Sequence, residues 1–176
     1  HFGSARAALA APVDAVRGLL CQKQALRDWG RDNPLALKAV EAALNWEAQP
    51  DCRLMLLSDE DFPLMLTEGI TPPPVLFLRG NTALLQRPAV AVVGSRHATP
   101  QALRIARDFG EAISEQEIAV VSGMAAGIDA AAHQGALAGA GGTIAVWGTG
   151  IDRIYPPANK NLAYQIAEHG LIVSEF

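Results

Sequence analysis

The sequence predicts an α/β protein, a doubly wound parallel sheet preceded by a small all-helical domain. Two observations lead there. After residue 88, four short apolar runs recur every 25 to 30 residues or so, the length of one strand–helix–strand unit. Before residue 50, apolar residues instead follow three- and four-residue spacings, the period of a helix.

In the first 50 residues, Val13, Val16, Leu19 and Leu20 mark short helical stretches, interrupted by Gly30 and by Asn33-Pro34. Pro34 suits the first turn of a further helix running through Leu37, Val40 and Leu44. Two or three small helices are expected here, too few to form a confidently stable core alone. Residues 51–88 are transitional. Leu54–Leu57 and Val75–Leu78 are strand-sized, Asp61-Phe62-Pro63 and Pro72-Pro73-Pro74 break the pattern, and Arg79-Gly80-Asn81 turns. The four later runs are Ala89–Val93, Ile118–Val121, Thr143–Trp147 and Leu171–Val173. They are near-continuous rather than alternating, as in strands buried on both faces. Helical spacing fills the intervals, through Leu103, Ile105, Ala106 and Phe109, then Ala130–Ala138, then Leu162–Ala167. Right-handed crossovers between parallel strands follow, so residues 51–176 are expected to form a Rossmann-like domain and residues 1–50 a helical one.

Composition narrows the function. Half the residues are hydrophobic, 18% are charged, and the formal net charge is −4. An acidic balance argues against a protein that coats nucleic acid by bulk charge, while leaving room for a local basic groove. No apolar run reaches the length of a membrane helix. Cys21 and Cys52 stand in unrelated settings, with no CxxC and no histidine at ligand spacing. They read as ordinary thiols of a reducing compartment, which points to the cytoplasm, with no metal site and no cofactor.

In a parallel sheet, ligands bind beyond the carboxyl ends of the strands. The loops there are Gly94-Ser95-Arg96-His97-Ala98-Thr99-Pro100, then Ser122-Gly123-Met124-Ala125-Ala126-Gly127-Ile128-Asp129, then Gly148-Thr149-Gly150 through Asn159 and Lys160. Each opens with glycine or Ser-Gly, which lets another group approach the backbone amides; beside a helix amino end these make an anion site. Ser95, Thr99, Ser122 and Thr149 add hydroxyls, and Arg96 adds a fork suited to phosphate. Any one such loop is more readily a plain tight turn; three at one rim reverse that balance and favour a phosphate-bearing ligand. Tyr155 either stacks on a base or packs at the sheet edge with Pro156.

Conventional nucleotide motifs fail. Gly148-Thr149-Gly150 lacks the third glycine of the dinucleotide fingerprint, and no Walker A sequence occurs. Asp129 and His133, four apart, share a helix face near Ser122, so a nucleophile–histidine–acid trio is conceivable. The plainer alternative places Asp129 at a helix amino end, favoured by the dipole, with His133 structural.

These strings resemble the DprA/Smf DNA-processing family: Val92-Val93-Gly94-Ser95-Arg96, then Val121 to Asp129 with Ala132-His133 and Gly135-Ala136-Leu137, then Thr143 to Val146, Gly148-Thr149-Gly150, Asp152 and Tyr155 to Asn159. Asp61-Phe62-Pro63 and Pro73 to Gly80 match that family's entry into its Rossmann domain. The resemblance runs from about residue 54 onward, and the amino-terminal helices look like the family's SAM-like domain. It implies sequence-independent binding of single-stranded DNA, protection of incoming strands in natural transformation, help in loading the RecA recombinase, a homodimer, and no enzymatic activity. Gly94, Ser95 and Arg96 map onto the family's DNA-contacting loop, with Asn159 and Lys160 lining the same groove. The DNA- or phosphate-binding set expected is thus Gly94, Ser95, Arg96, Thr99, Ser122, Gly123, Gly127, Gly148, Thr149, Gly150, Tyr155, Asn159 and Lys160. Ala126 stands where many members carry a basic residue. The family continues past the equivalent of Phe176 with more sheet and a further basic segment, so a truncated domain is expected. The rival reading is a nucleotide-hydrolysing enzyme of the lysine-decarboxylase-like Rossmann group. Its Pro-Gly-Gly-x-Gly-Thr loop and following glutamate are missing, since Ala140-Gly141-Gly142-Thr143 precedes a strand. A third reading is a protein-interaction module whose groove has decayed.

Overall fold

The computed structural model describes residues 2–20, 22–31, 33–68 and 71–176. Cys21 lies outside them. Cys52 is a free thiol, raised in pKa chiefly by burial. The chain forms two compact units, residues 1–44 and 45–176.

The first unit is helical: α1 (Ala5–Ala10), α2 (Val13–Val16), α3 (Lys23–Asp28) and the start of α4 (Pro34–Glu47). Ser4 caps α1 by accepting from the Ala7 amide, and Asn33 Oδ1 accepts from the Leu35 and Ala36 amides ahead of Pro34. Val16 is its one fully buried apolar side chain among the described residues, and the Trp29 indole donates to the Ala11 carbonyl at 3.1 Å.

The second unit is built on β1 (Cys52–Leu56), β2 (Val75–Gly80), β3 (Ala89–Ala91), β4 (Ala119–Ser122), β5 (Thr143–Trp147) and β6 (Leu171–Ser174). Between the last four lie α5 (Pro100–Glu115), α6 (Ile128–Ala136) and α7 (Lys160–His169). The six strands lie in the order β1-β2-β6-β5-β4-β3. β3 to β6 are parallel to their neighbours, whereas β1–β2 and β2–β6 are antiparallel.

The α/β class and Rossmann-like succession therefore stand. The sheet as a whole is mixed: β1 and β2 add two antiparallel strands to the four parallel ones expected, and the three parallel crossovers all step the same way. The two antiparallel strands come from the transitional stretch, whose sequence carried no helix to return the chain in parallel. The run Ala89–Val93 was expected to be buried on both faces. β3 is instead an edge strand with all three residues exposed, because among the described residues it pairs with β4 alone. Among the described residues, no helix is long and apolar enough to cross a membrane.

One face of the sheet presents Met55, Leu76, Leu78, Ile144, Leu171 and Val173 to Phe62 and Leu84. The other packs Ala145, Trp147 and Ile172 beneath Ala130, Leu162 and Ile166, while Val120 meets Ala132 and Ala136. The carboxylate of Asp61 grips Arg53 through both guanidinium nitrogens at 2.6 and 2.7 Å, pinning the Asp61-Phe62-Pro63 turn to β1 so that Phe62 enters the core. Small residues in α6 let α5 approach closely: a Cβ on Gly110 would lie 2.3 Å from the Ala132 carbonyl oxygen, and one on Gly135 only 1.9 Å from that of Arg107.

Since both partners at that crossing are backbone, neither can yield cheaply. Gly135→Ala is expected to lower unfolding free energy in urea by about 1–3 kcal/mol. Gly148→Ala, whose Cβ would meet open space, should stay within about 0.5 kcal/mol of the parent.

Candidate functional site

The three parallel loops that leave β3, β4 and β5 gather at one rim and are stitched to one another. Gly127, the residue before α6, has φ +84°, and a Cβ there would lie 2.2 Å from the Ser95 carbonyl oxygen. That same carbonyl accepts from the Ile128 amide at 3.2 Å, and Gly94 seats the Ile128 side chain where a Cβ would stand at 2.7 Å. The first loop is thus locked onto the start of α6. The third is tied to the second by Asn159, whose Nδ2 donates to the Met124 and Ala125 carbonyls at 2.9 and 3.3 Å.

Within this frame a cleft of about 410 Å3 opens. Arg96 lines it from the first loop, Gly123, Ala125 and Ala126 from the second, and Gly148, Thr149, Tyr155 and Pro156 from the third, with Trp147 at the end of β5. Arg96 is exposed and forms no ion pair among the described residues. Tyr155 is 63% exposed, so it is not buried against the sheet edge. Lys160 opens α7 with its ammonium 5.8 Å from the centre of the Tyr164 ring.

Arg96, Gly123, Gly148, Thr149 and Tyr155 are thus brought to one cleft. The remaining expected residues do other things. Ser122 is 3% exposed and gives its hydroxyl hydrogen to the Val92 carbonyl at 2.6 Å, a brace between β4 and the chain leaving β3. Gly94 and Gly127 serve the close approach of the first two loops. Thr99 caps α5 by accepting from the Ala102 amide, and Ser95 Oγ accepts from the His97 amide. Thr149 donates to the Arg153 carbonyl, and Gly150 lies against Asp152.

The amides of the second loop are also spoken for. Gly123 and Ala125 both point at Asp129 Oδ2, at 3.2 and 3.4 Å, so a buried carboxylate of the protein occupies the anion nest that the sequence offered to a ligand. His133 is fully buried beneath it and hydrogen-bonds Thr143 Oγ1 at 2.7 Å. Thr143 gives its own hydrogen to the Val120 carbonyl, so the neutral imidazole carries its proton on Nδ1. Burial pulls the His133 pKa down to about 4, against the Asp129 carboxylate and the Ser122 backbone, which pull upward. Ser122, His133 and Asp129 share no hydrogen bond between their side chains, and Asp129 stands in the first turn of α6, where the plainer alternative put it.

Trp147 escaped the sequence reading. It closes β5 just before Gly148, is 7% exposed, and its buried indole N–H has no acceptor among the described residues. Its position at the carboxyl end of a central parallel strand was the available signal. No group of three or more metal-ligating side chains occurs among the described residues.

A mixed α/β sheet with a loop-lined cleft at the carboxyl ends of its parallel strands defines a protein of Rossmann-like fold with a candidate ligand site. The comparison with known families makes this particular: residues 53–176 match the family model for DNA recombination-mediator protein A. The chain belongs to that family. It is 43% identical over 132 residues to protein Smf of Synechocystis sp., covering 73% of this chain and 33% of that one. It is 45% identical over 118 residues to the DNA processing protein DprA of Streptococcus pneumoniae, covering 67% and 42%. Among solved structures, DprA of S. pneumoniae superposes with a TM-score of 0.68 at 34% identity, covering 93% of this chain and 60% of that one. DNA processing protein A of Helicobacter pylori, described for its single-stranded DNA binding mode, gives 0.63 at 32%, covering 70% and 56%. The chain spans about a third to two fifths of the length of these curated relatives.

His133 makes the fold sensitive to acid. Its folded pKa lies below the unfolded value of 6.5, so the unfolded chain binds the extra proton and stability falls as pH drops from 6.5 towards 4. The loss from this group is expected to be on the order of 3 kcal/mol. Thermal melts across that range should show it, and His133→Asn should flatten the dependence while lowering the plateau.

Proposed function

We propose that the rim cleft binds single-stranded DNA without sequence preference. The observation that carries this reading is the convergence of three loops on one cleft that presents Arg96, with no ion pair among the described residues, beside an exposed aromatic, Tyr155. A guanidinium suits a phosphate, and a free aromatic face suits any unpaired base. Membership in a recombination-mediator family supports it, as does the single-stranded DNA binding of the H. pylori relative. Lys160, Asn159 and the backbone of Gly94 to Arg96 would extend the contact along the strand. We expect this domain to protect incoming DNA and help load RecA, as a cytoplasmic homodimer, with no catalysis of its own.

Affinity of this kind comes from phosphate neutralisation and is insensitive to base identity. Arg96→Ala is therefore expected to weaken binding to a similar degree for unrelated oligonucleotides and to lower the salt slope by about 0.7. Fluorescence anisotropy with oligo-dT across a salt series measures both. Unchanged affinity and slope in the variant would remove the cleft from consideration. Release of adenine and ribose 5-phosphate from AMP, measured on the same preparation, should stay at background and separates binder from nucleotide hydrolase.

A further inference from the structure

The positive charge of this chain is unevenly placed. Residues 1–44 carry six Lys or Arg against four Asp or Glu, whereas residues 45–176 carry eight against fourteen. The smaller unit is thus net positive within an acidic protein. Four of its six cations, Arg17, Lys23, Arg27 and Arg31, line one groove of about 490 Å3, with Trp29 and Leu26 among the other residues of its wall.

We infer that this groove is a second polyanion site, and that its ligand is a single-stranded nucleic acid. Lys23 and Arg27 lie four apart on the six-residue helix α3, a like-charge pair that works against so short a helix. Neither has an acidic partner among the described residues, and nor has Arg31. Asp28, the acid on the same helix, is held instead by the Gln24 side chain at 2.8 Å. Arg17 does pair with Asp14 at 2.8 Å, but both side chains are largely exposed, and such a pair exchanges readily for a phosphate. The groove also has an anchored aromatic: the Trp29 N–H bond to the Ala11 carbonyl fixes the indole among the cations. Cations for phosphate beside a fixed ring for a base are the two elements of single-strand binding. The helices that line the groove, α2 and α3, are four and six residues, too short to lie in a bilayer interface as an amphipathic helix beside these cations.

This groove shares no lining residue with the rim cleft, so the two readings can fail separately. The test uses the full 176-residue chain, labelled dT30, and anisotropy titrations over a salt series, with the parent, Arg96→Ala and the double variant Arg27→Ala/Arg31→Ala. All substituted residues are exposed, and thermal melts confirm that each variant folds. The double variant is expected to bind about tenfold more weakly at low salt, with a slope smaller by about 1.4. Trp29→Phe should remove a DNA-dependent quenching of tryptophan fluorescence. Parental slope and affinity in the double variant would overturn the proposal, whatever Arg96→Ala does. A loss for Arg27→Ala/Arg31→Ala with none for Arg96→Ala would sustain it and discard the rim cleft. Retained dT30 binding with lost affinity for phosphatidylserine vesicles would overturn it in favour of a membrane surface, and a parent chain that does not bind dT30 would overturn it outright.

Discussion

The architecture of the rim depends on one backbone contact. The Ser95 carbonyl lies against Gly127 so closely that no Cβ fits between them, and it accepts the Ile128 amide as α6 begins. A left-handed φ at Gly127 turns the chain into the helix at that point, a conformation other residues adopt only with strain. This contact sets the height of the first loop over the second and so places Arg96 at the mouth of the cleft. Residues often assigned to ligands in glycine-rich loops here hold one loop to the next.

A second constraint is the buried carboxylate of Asp129. A helix amino end with converging amides attracts an anion, and this protein supplies its own. The consequence is a division of labour along the rim. The second loop is neutralised from within and becomes rigid, backed by the neutral His133 and its bond to Thr143. Groups still open to a ligand lie on the first and third loops, where Arg96 and Tyr155 face solvent and Gly148 has open space above it.

Charge completes the picture. The larger unit carries an acidic excess, so attraction to a polyanion there depends on a few placed cations rather than on a general field. The basic groove of the smaller unit offsets that deficit within the same chain.

Much of this was legible in the chain alone. The strand–helix rhythm after residue 88 determined four parallel strands and their crossovers, because continuous apolar runs at that interval have few other ways to be buried. Thr143–Trp147 matches β5 residue for residue, and Pro34 opens α4 as its fixed φ requires. The glycine-led loops located the rim. Local pattern could not say which strands lie at an edge, nor that β1 and β2 join antiparallel, since pairing is chosen by neighbours distant in sequence. It also could not tell a glycine that admits a ligand from one that admits another stretch of the same backbone, since either use calls for the same residue. Only the tertiary structure decided that Gly127 serves Ser95, that Ser122 is buried, and that Asp129 fills the nest, because each outcome depends on atoms brought together across the fold.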